Sequence, residues 1–118
     1  MRAPPRGEVW LVDLGLAAKV RPCLVLSVPI EGADRSIVTL VPHTTKGRGS
    51  RFEVAVPVRF LKPGAFDAQG LVTVPIPWLI RRVGVLTVAQ IQLVESAVCR
   101  WLGIDVITAP GERRMAGT

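Results

Sequence analysis

The apolar residues of this chain change their period once, near residue 86. Before that point they fall in short runs cut by proline and glycine. After it, Ile91, Val94, Val98 and Trp101 recur at spacings of three, four and three, the repeat of one helix face. A chain patterned this way is expected to fold as a set of short strands followed by a single helix. Its β-branched residues agree: 18 Val and 7 Ile stand against 3 Phe, 3 Trp and no Tyr. Such side chains fit a pleated, half-buried surface. At 118 residues the chain fits one domain, too short for a dinucleotide-binding enzyme pair or an eight-fold strand–helix barrel.

The strands are expected in order. Residues 8–14 follow Gly7 and form the first, and a turn over 14–19 leads to the second, residues 23–28. Its near-continuous apolar run implies burial on both faces. Pro22 fits the start of that strand, where a missing N–H costs least. Residues 36–42 read as a third strand and 43–50 as a polar, basic loop. Residues 51–56 alternate as a fourth strand with one wet face. Leu61-Lys62-Pro63-Gly64 is a turn. Residues 70–74 form a fifth strand, ended or marked as an edge by Pro75-Ile76-Pro77, and residues 78–83 a sixth. The helix is predicted over Val88–Leu102. Thr87 is its N-cap and Gln90 the N3 partner of a capping box, Leu86 and Ile91 form a hydrophobic staple, and Gly103 sits at C′. Its apolar stripe is read as core contact. The expected architecture is mainly β, an SH3-like split barrel of five or six antiparallel strands with the C-terminal helix packed against it. One domain covers residues 1–103, and residues 104–118 are expected to be a flexible tail.

The formal net charge is +6. Asp105, Glu112, Arg113 and Arg114 cancel within the tail, so the excess lies on the part that folds. It signals either a polyanion partner or simple solubility. Cys23 and Cys99 read as small core or boundary residues, not a disulfide framework. One His without paired thiols makes no convincing zinc site, and no metal or cofactor is expected. The start, Met1-Arg2-Ala3-Pro4-Pro5, lacks the apolar stretch of a signal peptide. The longest uncharged apolar run, residues 68–80, is broken by Pro75 and Pro77. A cytoplasmic protein with no membrane partner is expected.

Two segments concentrate chemistry. In Lys19-Val20-Arg21-Pro22, a charged Arg stands just before a buried strand. Its five-donor fork suits a phosphate, and a rim Arg paired with a carboxylate would look the same. In Pro42-His43-Thr44-Thr45-Lys46-Gly47-Arg48-Gly49-Ser50-Arg51, hydroxyls, an imidazole and three cations occur together without an acid. Such a loop can wrap a phosphate backbone, or be a solvated basic loop. The scarcity of aromatics argues against an RNA reader that stacks bases on an open sheet.

Together these segments resemble a known family. Arg6-Gly7-Glu8-Val9-Trp10, then Arg21-Pro22-x-x-Val25-Leu26-Ser27, then Pro42-x-Thr44-Thr45 with Phe52-Glu53-Val54 beyond, look like the MazF/PemK/Kid toxin endoribonucleases. Gly84-x-Leu86 and the ending Trp101-Leu102-Gly103 match that family's close, so the resemblance covers residues 6–103. It implies an SH3-like barrel that forms a homodimer and binds single-stranded RNA in a groove at the interface. It also implies sequence-specific, metal-independent cleavage of mRNA, and neutralisation by an antitoxin with an acidic, disordered tail. Arg21 and Thr44 are the implied catalytic pair, with Lys19, Ser27, Thr45, Lys46, Arg48 and Arg51 as RNA contacts. In metal-free cleavage the 2′-OH attacks the adjacent phosphate, so Arg21 is expected to stabilise the added charge. Thr44 is expected to donate to a phosphate oxygen, or else to cap its own loop. His43 is a candidate acid or base, or a surface stacker, or inert. The strand over residues 71–76 lacks an Arg and an acid that some members carry there, and the loop over 15–20 is short. A member of the same fold that poisons DNA gyrase, or a non-catalytic nucleic-acid-binding barrel, are the alternative readings.

Overall fold

The computed structural model describes residues 3–15 and 19–105. Of the expected flexible tail, residues 104–118, all but Ile104 and Asp105 lie outside them. Seven strands precede one helix: β1 Glu8–Asp13, β2 Val20–Val25, β3 Ile37–Thr44, β4 Glu53–Val54, β5 Ala65–Asp67, β6 Val72–Pro75, β7 Leu79–Val85, then α1 Val88–Leu102. All pairings are antiparallel, in the order β4-β5-β3-β2-β1-β7, with β6 also on β3. The sheet is therefore mainly β and barrel-like but open: among the described residues its end strands β4 and β7 do not pair.

β2 has the two buried faces its apolar run implied. Leu24 points to a core under the helix with Val9, Val41, Phe66, Val94 and Val98. Its neighbours Cys23 and Val25 point to a second core with Val12, Leu40, Val74 and Ile76. Side chains one residue apart serve opposite faces, so a sheet covered on both sides needs apolar residues at every position. The helix is capped as expected. Thr87 Oγ1 accepts from Gln90 N at 3.2 Å and Gln90 Oε1 accepts from Thr87 N at 2.9 Å. Gly103 takes φ +69°, which costs glycine little.

Several boundaries differ from expectation. β2 begins at Val20, so Pro22 lies inside the strand, opposite Leu11 of β1. β3 runs two residues further, to Thr44, so His43 and Thr44 belong to the strand, not to the loop. β4 keeps only two residues of the expected six, and β5 follows the expected turn over residues 61–64, where no strand is expected. Three residues make a strand here because β5 is held on both sides, by β3 and β4. The strand count is seven instead of five or six for this reason.

Two prolines explain where the ladders stop. Leu26 N–H donates to Thr39 O of β3 at 3.0 Å. Alternation makes Leu24 and then residue 22 the next positions to face β3. Pro22 has no N–H, and the β2–β3 ladder ends at Cys23↔Pro42. By the same alternation Pro42 turns its nitrogen to the other edge of β3. There the ladder is broken between β5 and β6 by a 3₁₀ turn, Ala68–Gly70. With the His43↔Phe66 register kept, Leu40 would meet Gln69, but it meets Val72, three residues on. Both edges of β3 thus open within a few residues of each other.

Candidate active site

The opening beside these prolines is a cavity of about 650 Å³. Arg21, Pro42, His43, Thr44, Lys46 and Arg48 line it. Continued two residues past its last pair, the β2–β3 register sets Arg21 level with Thr44. Two residues 23 positions apart in sequence therefore line one cavity, just past the point where Pro22 ends the β2–β3 ladder.

His43 is buried, only 4% exposed, with its ring edge-on to Phe66 at 5.0 Å between centroids. Burial lowers its pKa, because the charged imidazolium loses hydration. The ring is accordingly neutral at pH 7. His43 also lines a second cavity, of about 340 Å³, together with Arg21, Pro22 and Thr45.

Thr44 Oγ1 accepts from Lys46 N at 3.1 Å. That bond occupies a lone pair and leaves the hydroxyl proton to donate. The capping role and the donor role are therefore compatible. The basic loop is shaped by an acid that the reading of residues 42–51 did not include. Glu53 accepts from Arg48 N at 3.0 Å and from Gly49 N at 2.9 Å. Gly47 passes so close that a Cβ there would lie 2.9 Å from the same carboxylate. Asp67 lines the larger cavity as well, and its carboxylate accepts from Gln69 N at 3.1 Å.

The remaining expected contacts are dispersed. Thr45 lines only the smaller of the two cavities. Ser27 Oγ accepts from Thr39 N at 3.0 Å, and the residue lines a separate depression with Arg6 and Glu95, which form an ion pair. Lys19 holds the turn before β2: its N–H donates to Gly15 O at 2.8 Å, at φ +58°. Arg51 lays its guanidinium 4.6 Å from the centre of the Phe52 ring. None of these three lines either of the two cavities.

Glu53, Asp67, Gln69 and Trp101 line the larger cavity and were not singled out for it. Glu53 read as a wet-face strand residue. Asp67-Ala68-Gln69 carried a usable signal, an Asx turn, whose Asp caps a backbone N–H two residues on. Trp101 was read as core stripe, but it is 45% exposed and touches Phe52 only edge to face, at 5.3 Å. It sits in the last turn of α1, at the cavity wall, whereas Val94, Ala97 and Val98 supply the buried stripe.

The family model described as PemK-like, MazF-like toxin of type II toxin–antitoxin system matches residues 5–102. The chain belongs to this family. All the residues gathered around Pro22 and Pro42 fall inside the matched span. Among solved structures, it is similar to a mycobacterial endoribonuclease in complex with its cognate antitoxin, at 26% identity and TM-score 0.73. That match covers 90% of this chain and 99% of the other. It is similar to the Mycobacterium tuberculosis toxin MazF-mt6 at 28% identity and TM-score 0.72, over 84% of this chain and 99% of that one. The MazE–MazF complex of Deinococcus radiodurans shares the fold at 20% identity and TM-score 0.70, over 86% of this chain and 97% of that one. Among the described residues, no helix is long and apolar enough to cross a membrane.

Proposed function

We propose that this toxin is an endoribonuclease that cuts single-stranded RNA, mRNA in particular, at specific short sequences and without a metal ion. The observation that carries the reading is the convergence of Arg21, His43 and Thr44 on one cavity with Lys46 and Arg48 beside them. The endoribonucleases among its structural relatives support it.

The chemistry follows from the groups present. The neutral His43 imidazole takes the proton of the 2′-OH, and the 2′-oxygen attacks the adjacent phosphorus. The five-coordinate phosphorus carries extra negative charge on its equatorial oxygens. Arg21 stabilises it as a fixed cation, since a guanidinium carries five N–H donors, keeps its charge and is a poor base. Thr44 donates its free hydroxyl proton to one of those oxygens. The imidazolium then returns its proton to the departing 5′-oxygen. The P–O5′ bond breaks, leaving a 2′,3′-cyclic phosphate and a 5′-hydroxyl. Charge on the phosphate is met by Arg21, Lys46 and Arg48, so no metal ion is required.

The toxin acts in the cytoplasm as a homodimer, in this reading. Trp78, 44% exposed beside Ile80, offers an apolar seat for a second copy. Its neutraliser is a cognate antitoxin with an acidic tail, in keeping with the +6 charge of this chain and the antitoxin complex of a relative. The test is cleavage of single-stranded RNA by purified protein in EDTA, with Arg21→Ala and Thr44→Ala as controls. Loss of one preorganised donor is expected to cost about 100- to 1,000-fold in kcat. Growth inhibition that persists in both variants without RNA cleavage would favour the gyrase-directed alternative.

A further inference from the structure

Lys46 and Arg48 reach the larger cavity from residues 45–49, a segment outside the helix and strands and exposed along its length. Burial therefore does little to hold it in one shape. Hydrogen bonds to side chains hold it instead. Lys46 N donates to Thr44 Oγ1 at the start of the segment. Further on, three bonds end on one carboxylate: Arg48 N donates to Glu53 Oε1 and Oε2, and Gly49 N to Oε1. Glu53 is itself anchored in β4, opposite Asp67 of β5. Gly47 shows how closely the chain wraps this group, since a Cβ there would lie 2.9 Å from Oε1 and 3.5 Å from Cδ.

As a charge, Glu53 is badly placed twice. It faces a second carboxylate across the β4–β5 pair, where like charges oppose pairing. It also lines a cavity whose cations would meet phosphates, which its own charge repels. As an acceptor it is well placed. We propose that Glu53 is a positioning residue for RNA capture: it holds the backbone from which Lys46 and Arg48 line the cavity, and this ordering outweighs the repulsion. The RNA side of the proposal rests on the endoribonuclease reading, and the holding of the loop rests on the bonds alone. Magnitudes favour ordering over repulsion. Fixing two long side chains before binding is worth roughly 5- to 100-fold in affinity. One repulsive charge near the surface costs roughly two- to fivefold.

The test measures binding of the full chain to a 2′-deoxy oligonucleotide of mixed sequence, which offers phosphates but no 2′-OH to cut. Amide hydrogen exchange at Arg48 and Gly49 is read by NMR on the free protein. Glu53→Ala should speed exchange at both amides and weaken binding by roughly 5- to 20-fold, although it removes a negative charge. Oε1 alone accepts from both Arg48 N and Gly49 N, so Glu53→Gln keeps those two contacts and discards the charge. It should bind within about threefold of the wild type. Gly47→Ala crowds the carboxylate and leaves β4 alone, so it should weaken binding by a smaller factor and serves if Glu53→Ala folds poorly. In a Glu53→Ala background that added methyl should change nothing, because its neighbour is gone. With RNA as substrate the loss should fall on KM, with kcat within about threefold, because Arg21, His43 and Thr44 stand on β2 and β3. The proposal is overturned if Glu53→Ala binds as tightly as the wild type or tighter, if the two amides exchange unchanged, or if Glu53→Gln is as weak as Glu53→Ala. A protein that leaves RNA intact would sink the endoribonuclease reading and leave binding and exchange to decide the role of Glu53. RNA cut with unchanged KM by a folded Glu53→Ala would do the reverse.

Discussion

Gly64→Ala is the most direct structural probe of the strand end that carries His43 and Thr44. A methyl at this position would lie 2.2 Å from Thr44 O and 2.8 Å from His43 Cε1. Real methyl carbons do not approach closer than 3.0 Å, so the Thr44 carbonyl must retreat by about 0.8 Å. It cannot swing aside as a side chain would, because it belongs to a strand paired with β5 at Thr44↔Ala65. Overpacking of this kind costs about 1–3 kcal/mol. In a domain of this size each kcal/mol lowers Tm by about 3–8 °C. A displacement near 1 Å at a reacting group is worth about 100-fold in rate. Gly64→Ala should therefore lose roughly 10- to 100-fold in kcat for RNA cleavage, beyond its loss of stability. Gly70→Ala is the graded control: its Cβ would meet Asp67 Oδ2 and Pro42 at 3.3 Å, contacts that small adjustments relieve. Differential scanning calorimetry and single-turnover cleavage at a temperature where both variants are folded would compare them. A Gly64→Ala protein with unchanged Tm and rate would refute the placement of Thr44 and His43 against this turn.

Other expectations follow from the same geometry. His43 has its pKa lowered by burial in the folded state, against about 6.5 unfolded. The unfolded chain therefore binds the proton more readily, and stability is full above pH 6.5 and falls as pH drops through 6.5 toward the folded value. Urea melts between pH 5 and 8 should show this slope, and His43→Asn should flatten it. Burial pushes the Cys23 thiol up to about 12, with the Arg21 charge pulling weakly the other way. Cys23 should stay unlabelled by a disulfide reagent at pH 8.5 in the native protein and react once denaturant is added. Thr87→Ala removes the capping box and should cost about 0.5–2 kcal/mol in thermal unfolding, with cleavage kinetics unchanged below Tm.

The helix was legible to the residue because its caps are local: Thr87, Gln90 and Gly103 act on groups within four positions of themselves. β2 was legible as a doubly buried strand from its composition, but not its start. Pro22 sits inside a strand because its nitrogen faces β3 where the ladder has already ended, and that direction depends on register, not on local sequence. β5 escaped for a related reason. Only Phe66 among its three residues is strongly apolar, and pairing on both edges holds it. At the site, Arg21, His43 and Thr44 were legible as residue types in a motif. Their meeting was not, since it depends on two prolines that open both edges of β3. Glu53 was hidden because its role is to accept backbone N–H groups four and five residues earlier, which no side-chain pattern announces.

The central claim is that Arg21, His43 and Thr44 together cut an RNA phosphodiester. It is tested most directly by mapping the ends left when purified toxin acts on single-stranded RNA in EDTA, with Arg21→Ala run in parallel. The account predicts 2′,3′-cyclic phosphate and 5′-hydroxyl ends at a restricted set of sequences, and a rate about 100- to 1,000-fold lower for the variant. Intact RNA, 3′-hydroxyl ends, or a folded Arg21→Ala that cuts as fast as the wild type would contradict it.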